Sequence, residues 1–436
     1  MGVAMSVSAC IFSQMPLSLQ ECLRLTVEQN LTLRQQQNES LMAKLDIKEN
    51  RAMLLPQING VAGWNDNFKP PVSATDHSAA GGNDYWITHT LQYSANFGIK
   101  LSMPLYNQTL LTSQTLVKQV AGVSELQEQK AREDLIVNTT KMYYLAQVTT
   151  EQIELLEDNI GKLRTLKEHT SAFVENGMVL EVDLQRVDLN LQNLTTACEN
   201  ARLVLAQQLN SLKYVMNYPA DEDICVVRDG NNEHRAANAQ GFSESIPEIR
   251  LLEESKSIAE TRLKMVRQGY LPSLALTGFA QGSMWTSDMS RWFKSGYDDN
   301  KIWGAYGIGV SLKIPIFDGL DKHYKTQKGR LAIDNAAMKL EDSRRALQTQ
   351  YANATIEREN AYRTRQQQLD SYRLAQDVYR VTSDQFAEGV TTMTAVLQDQ
   401  LAINQAMSAY VNAQLNYKLA DLTILKLSGQ IETLLK

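Results

Sequence analysis

Long apolar runs are missing from this 436-residue chain. No stretch approaches the roughly 18 consecutive apolar residues that a membrane-spanning helix requires. If the chain crosses a membrane, it must do so as a β-barrel, because only helices and closed barrels satisfy their backbone polar groups in lipid. Residues that interrupt regular structure are scarce too: 9 prolines and 22 glycines leave long stretches without a turn. Positive charge is not in excess. The net charge of -6 offers no footprint for nucleic acid and no polybasic patch for anionic lipid. Histidines are few, and His77, His89, His169, His234 and His323 lack metal-ligand spacing. There is no phosphate-binding loop, dinucleotide fingerprint or Gly-x-Ser-x-Gly elbow. Acidic pairs such as Glu133-Asp134 and Glu253-Glu254 fall in helical stretches and read as solvated faces. Catalysis, a cofactor and a metal are therefore not expected.

Cysteines number only four, and no two have the close spacing of a metal or redox motif. A Cys22–Cys225 disulfide is one option for an oxidising compartment. Residues 1–14, MGVAMSVSACIFSQ, are small and apolar and resemble the tail of a secretory signal. Val7-Ser8-Ala9-Cys10 also resembles a lipobox, which would make Cys10 a lipidation site. The plainer reading places Cys10 inside a removed leader.

What is present is one unit written twice. Residues 97–107, FGIKLSMPLYN, align with residues 308–318, IGVSLKIPIFD, at a shift of 211. Arg51, Leu55 and Pro56 match Arg267, Leu271 and Pro272 at a shift of 216, and Gly177 matches Gly389 at 212. A period this long denotes duplication and pseudo-symmetry, not a solenoid. Repeat 1 covers 15–217, a linker 218–242, repeat 2 243–429 and a tail 430–436. Each repeat begins with a helix running to a Leu-Pro, Leu17 to Leu55 and Phe242 to Leu271, where proline ends it. Two strands follow, then a very long helix, a glycine break and a second long helix.

The strands, near 56–64, 86–104, 272–285 and 302–315, are the clearest local feature. From Leu91 to Met103 the odd positions are apolar or aromatic, while the even ones are Gln92, Ser94, Asn96, Gly98, Lys100 and Ser102. From Ile302 to Ile314 the even positions are mostly apolar, and the odd ones are mainly small or polar. Period-two alternation sends the two sets to opposite sheet faces, as in a lipid-facing barrel strand. Trp64, Tyr85, Trp86, Trp285, Tyr297 and Trp303 lie near the strand ends, where membrane-interface girdles form. The intervening loops contain Pro70-Pro71, Gly81-Gly82 and Asp298-Asp299.

In the helices, Leu180, Leu184, Val187, Leu191, Leu194, Cys198, Ala201 and Leu205 are spaced 4-3-4-3-4-3-4, a coiled-coil repeat. Met393, Val396, Ile403, Met407, Tyr410 and Tyr417 lie on the same grid, with Gln400 and Gln414 in two of its slots. Residues 320–388 hold no proline and one glycine, Gly329. A helix that long, on the order of 100 Å at 1.5 Å per residue, must pair along its length within the chain and with copies of it.

These landmarks resemble the TolC-like outer-membrane efflux family from Leu17 to about Gly429. The family signature is proline, aliphatic, aromatic, Asn or Asp, then often Gly. Pro104-Leu105-Tyr106-Asn107-Gln108 fits except at Gln108, and Pro315-Ile316-Phe317-Asp318-Gly319 fits throughout. Pro56 and Pro272 open the first strands, and Asn107 and Asp318 are suitable helix N-caps. A second signature, glycine followed six residues on by Asp and then an aliphatic, matches at Gly177…Asp183-Leu184 and in part at Gly389…Ala395-Val396.

The resemblance implies an α+β membrane protein of the bacterial outer membrane. It implies a homotrimer sharing one β-barrel, four strands per chain, above a coiled-coil helical tunnel in the periplasm, with the 218–242 linker in an equatorial belt. It also implies a channel passing substrates from an inner-membrane transporter and a periplasmic adaptor. Gly177 and Gly389, with Met178 and Val390, would form the periplasmic tip. At the family's usual gate positions this chain has Ala395, Gln398, Phe386 and Thr391, none charged, while Asp183 is retained. A gate packed around Phe386, Val390 and Val396, weakly cation-selective, is the expectation. The competing reading is a structural coiled-coil protein without a channel. It would accommodate the heptads but not the alternating strand pairs.

Overall fold

The computed structural model describes residues 15–69, 72–76, 85–89, 91–227, 241–294 and 301–435. Cys10, Pro70-Pro71, Gly81-Gly82, Asp229-Gly230, Tyr297 and Asp298-Asp299 lie outside them. The chain forms two compact units that cut across the two repeats. One takes Leu41–Val123 and Glu254–Ala337; the other takes Met1–Ser40, Ser124–Glu253 and Met338–Lys436. No helix among the described residues is long and apolar enough to cross a membrane.

The first unit is built on a four-stranded antiparallel sheet of β2 (Gln57–Asp66), β5 (Tyr93–Tyr106), β7 (Ser273–Thr286) and β8 (Trp303–Lys313), in the order β2-β5-β7-β8. Each repeat supplies one pair, and the β5–β7 ladder joins the repeats. The strand expected at 86–104 is two elements. β4 (Tyr85–His89) pairs with β3 (Val72–Asp76) in a separate hairpin, and the sheet strand starts only at Tyr93, two residues after the alternation begins at Leu91. Two glycines permit close approach. A Cβ on Gly98 would lie 2.4 Å from the Ala280 carbonyl, so the β5–β7 contact requires glycine there. Gly282 leaves room for the Phe97 ring of the neighbouring strand.

The strand-to-helix junctions differ between repeats. Asn107 accepts the Leu110 amide at 3.1 Å and caps α3 (Gln108–Glu175) directly. Asp318 lies three residues before α6 (Asp321–Ala387), not at its N-cap. Gly319 and Leu320 both adopt left-handed backbone between them, and the Asp318 carboxylate reaches forward to the Lys322 amide at 3.3 Å. A leucine at φ 66 is strained by roughly 1–2 kcal/mol. Pro104 sits at the irregularity where the β5–β7 register shifts, and Pro56, Pro272 and Pro315 lie just outside strand ends.

The second unit contains a belt and two helical hairpins. In the belt β1 (Met15–Leu17) pairs in parallel with β6 (Ile224–Val226), so the linker is stitched to the start of repeat 1. The Tyr143 hydroxyl, fully buried, reaches the carbonyls of Leu17 and Val227 at 3.1 and 2.8 Å. The helix expected from Leu17 to Leu55 is broken in two, α1 (Leu19–Gln29) and α2 (Leu31–Ala52). Asn30 takes an extended ψ of 125°, and its side chain caps α2 through the Leu33 amide while donating to the Val215 carbonyl. Ser18 and Glu21 close a capping box at the start of α1. Cys22 is a free, fully buried thiol in this core, so it does not pair with Cys225. The tail is not loose: Ile431 and Leu434 are buried against α1.

Glu133 overturns the expectation of a solvated acidic face. It is buried, and burial, eased by the Gln129 amide and reinforced by Glu248, Glu432 and Asp134, pushes its carboxyl up to about 7. Around it, α3, α5 (Pro247–Gln268), α7 (Met393–Leu427) and the C-terminal turn exchange charge. Lys130 and Lys426 hold Asp134 at 2.5 and 2.7 Å, Lys426 lies 3.6 Å from Glu248, and Arg132 faces Glu432. Burial favours protonation of Asp134 also, but its two lysine hydrogen bonds outweigh it and hold the carboxyl below its usual value. A carboxyl with a raised folded-state pKa contributes stability that is complete below its ordinary 4.5 and is lost as pH rises through about 7. Glu133→Gln should therefore flatten the fall in Tm between those two pH values and raise Tm above pH 7. Thermal unfolding of both forms across that range measures it.

Candidate functional site

Two surfaces carry chemistry, the hairpin tips of the helical unit and the two faces of the sheet. At the first tip α3 ends in a left-handed Gly177 (φ 69), with the Met178 amide returning to the Phe173 carbonyl and the Gly177 amide to Val174. The second tip repeats this at Gly389 (φ 75), with Val390 returning to Gln385 and Gly389 to Phe386. Both are Schellman closures, which need φ > 0 and so favour glycine. They lie 212 residues apart, as the duplication requires. The next helices start differently. Thr392 caps α7 through the Ala395 amide, whereas Leu180 opens α4 (Glu181–Met216) without a side-chain cap.

The tips divide into a sealed interior and an apolar exterior. Phe386 is buried and meets Phe173 edge-on at 5.9 Å between centroids, and Val396 is fully buried beside them. Phe173 was not singled out in the sequence, although its place four residues before Gly177 matches a closing contact. Val390 does not belong to this packing: at 71% exposure it points outward, as Met178 and Leu180 do. A Schellman turn puts the residue after the glycine at the apex, so Met178 and Val390 are exposed as the tip reading expects, and only the place given to Val390 in the gate packing is corrected. Thr391 and Ala395 are half-buried, and Gln398 is exposed. Asp183 is paired with Arg186 on its own helix at 3.1 Å.

Above the tips the expected grid is buried on α7 and in part on α4, where Leu184, Leu191 and Leu205 are half-buried and Leu180, at the turn, is exposed. Val187, Leu194, Cys198 and Ala201 of α4 and every grid position of α7 from Met393 to Tyr417 face inward. The two glutamines among them behave differently. Gln414 accepts from the buried Arg365, which also stacks on Tyr417, while neither amide atom of the fully buried Gln400 has a partner among the described residues. Tyr372 stacks on Tyr410, and burial pushes the hydroxyls of Tyr372 and Tyr379 up to about 12.

In the sheet, register sorts the side chains. The rows Ile58–Leu101–Gly278–Ile308 and Ala62–Phe97–Gly282–Gly304 are typical of one face, with Trp64, Ile99, Tyr306, Val310 and Leu312 on it. The odd set of β5 and the even set of β8 thus share one face. The opposite face bears Gln57, Asn59, Asn96, Ser102, Thr277 and Ser311. The apolar face is open within the chain, with Tyr306 89% and Ile308 76% exposed. Both edge strands, β2 and β8, have one unpaired side among the described residues. No group of acidic, histidine or cysteine side chains that could hold a metal occurs among those residues.

Residues 244–430 match the family model described as outer membrane efflux protein. The chain is 21% identical over 402 residues to the outer membrane protein TolC of Escherichia coli K12, covering 88% of this chain and 76% of that one. It superposes on CusC with a TM-score of 0.75 at 14% identity, covering 94% of this chain and 91% of that one. The open-state outer membrane channel MtrE of Neisseria gonorrhoeae gives 0.68 at 21% identity, over 95% and 89%.

Two outcomes follow from these surfaces. Ile308→Arg should cost about 2–4 kcal/mol in lipid vesicles if its row lies near the bilayer midplane, and Asn96→Arg much less, read from urea unfolding; equal tolerance would refute the facial assignment. Phe386→Ala should remove about 3–5 kcal/mol of packing. Arg186→Ala, breaking a partly exposed pair, should cost at most about 1 kcal/mol. Hydrogen exchange at both tips compares them: the first variant accelerates it, the second barely changes it.

Proposed function

We propose, for a chain that belongs to the TolC-like outer membrane efflux protein family, that it is the outer-membrane channel subunit of a tripartite export system. It carries no enzymatic activity. The observation that carries this reading is the sheet. An antiparallel sheet with one continuous apolar face and two open edges is stable in lipid only when copies pair edge to edge into a closed barrel. Four strands are too few to enclose a pore, whereas three copies supply twelve. The barrel lies in the outer membrane and the helical hairpins in the periplasm. The assembly is a homotrimer, its apolar face in contact with outer-membrane lipid.

The partners are a periplasmic adaptor and an inner-membrane transporter, with the adaptor meeting the tips at Met178, Leu180 and Val390. These exposed apolar side chains at tightly closed turns support that placement. The gate is held by the Phe173–Phe386 packing. With Ala395 and Gln398 uncharged and Asp183 neutralised by Arg186, the tip is at most weakly cation-selective. Gly177, Gly389 and Thr391 act as turn formers. Pro56, Pro104, Asn107, Pro272, Pro315 and Asp318 act as junction residues. Cys10 is a candidate lipidation site.

Detergent-extracted protein should have a native mass about three times the 49.0 kDa chain and should conduct ions in planar bilayers. A monodisperse, folded monomer would exclude the shared barrel. Val390→Glu and Met178→Glu should assemble normally and lose export; normal export by both would remove the docking surface from the tips.

A further inference from the structure

The polar face of the sheet is not neutral. The four strands carry two lysines, Lys100 and Lys313, and one acid, Asp66. Both lysines fall on the polar face. Lys100 is in the row Asn59–Lys100–Phe279–Gly307, and Lys313 is opposite Ser273. Asp66 is the last residue of β2 and pairs with Tyr93, in the register of the apolar face. Lys100 and Lys313 are exposed, and neither forms an ion pair among the described residues. The rows of Lys313 and Lys100 are six residues apart along β7, on the order of 20 Å.

The same face holds three large aromatic side chains amid small ones. Phe279 adjoins Lys100 and covers Gly307. Trp285 and Trp303, which the sequence suggests for a membrane-interface girdle, lie instead on this polar face further along, and the Lys301 ammonium sits 4.7 Å from the Trp303 ring centroid. Apart from the lysines, the rest of the face is mostly Ser, Thr, Asn, Gln, Gly and Ala, so these exposed rings have no core to fill. They offer flat apolar surface beside ammonium groups.

We propose that the barrel lumen selects anions, and specifically amphipathic aromatic anions, which have a planar apolar body and a carboxylate or sulfonate group. This rests on the channel reading, because only closure of the barrel turns the polar face into a lumen. Three copies place six sheet lysines around one passage with no carboxylate from the strands on the same face. Like charges in a narrow, low-dielectric passage concentrate counter-ions. The rings add contact area that inorganic anions cannot use. At the tip, Asp183 is bound to Arg186, and the selectivity proposed is that of the barrel segment, set by its own lysines.

The test uses full-chain trimers in planar bilayers under a KCl gradient. Wild type should show a reversal potential of chloride preference. Lys100→Gln/Lys313→Gln should lower the chloride-to-potassium permeability ratio several-fold, and Lys100→Glu/Lys313→Glu should invert it, while Asp183→Asn leaves it near wild type. Sodium naphthalene-2-sulfonate added on the barrel side should block single channels, with dwell times shortened several-fold in Trp303→Leu and in the double glutamine variant. Conducting channels whose reversal potential is the same in all three lysine forms overturn the inference and leave the channel intact. A verified wild-type trimer that never conducts overturns the channel reading itself, and the inference with it.

Discussion

A sheet that meets lipid cannot leave backbone N–H and C=O groups unpaired, and most of this structure depends on that constraint. The four strands satisfy one another across three ladders, but among the described residues β2 and β8 each keep an open edge. The chain therefore cannot be complete in a membrane by itself. On the proposed channel reading, its alternation and its glycines at close strand contacts serve a surface that other copies complete. The same requirement explains why the duplication matters. Two hairpins related by an internal shift pair through β5 and β7 as neighbouring copies would have to pair through β8 and β2.

In the helical unit the constraint is different. Long amphipathic helices with a 3.5-residue seam could slide past one another, since each grid position resembles the next. Polar residues in the seam break that degeneracy. Arg365 meets Gln414 and Tyr417, Arg358 meets Asp421 at 2.7 Å, and Lys418 meets Gln147 at 2.6 Å. Each pairing is correct in one register only. A slip would strand a buried charge, which costs far more than the pair contributes when formed. The belt uses the same device more densely, with lysines shared among α3, α5 and α7 around a buried glutamate.

Particular elements show how far the sequence could be read. The tip glycines were legible because a Schellman turn needs a positive φ that few other residues adopt. The strand faces were legible because period two admits only two sets. The break at Asn30 was not: asparagine is a cap only if a partner such as the Val215 carbonyl is in place, and that partner is 185 residues away. The sequence offers Val390 both as an exposed tip residue and, being apolar, as part of the gate packing; the turn at Gly389 directs it outward, so only the first place holds. Glu133 was read as solvated because acidic pairs on helices usually are, and its burial depends on four elements converging from distant parts of the chain.

By itself, the sequence determined the repeat, the order of strands and helices, the alternating faces and the coiled-coil seams. Each of these is a periodic or local property, set by backbone geometry within a few residues. That the odd positions of β5 and the even positions of β8 share a face follows from their apolar character in the sequence; tertiary structure alone decided that β5 pairs with β7, and hence which rows of the two repeats lie side by side. It alone decided that Phe173 closes on Phe386, and that the charges on four belt elements meet around Glu133. Those outcomes depend on long-range register: the alternation excludes a one-residue slip, which would exchange the two faces of the sheet, but a two-residue slip preserves the faces and no local pattern forbids it.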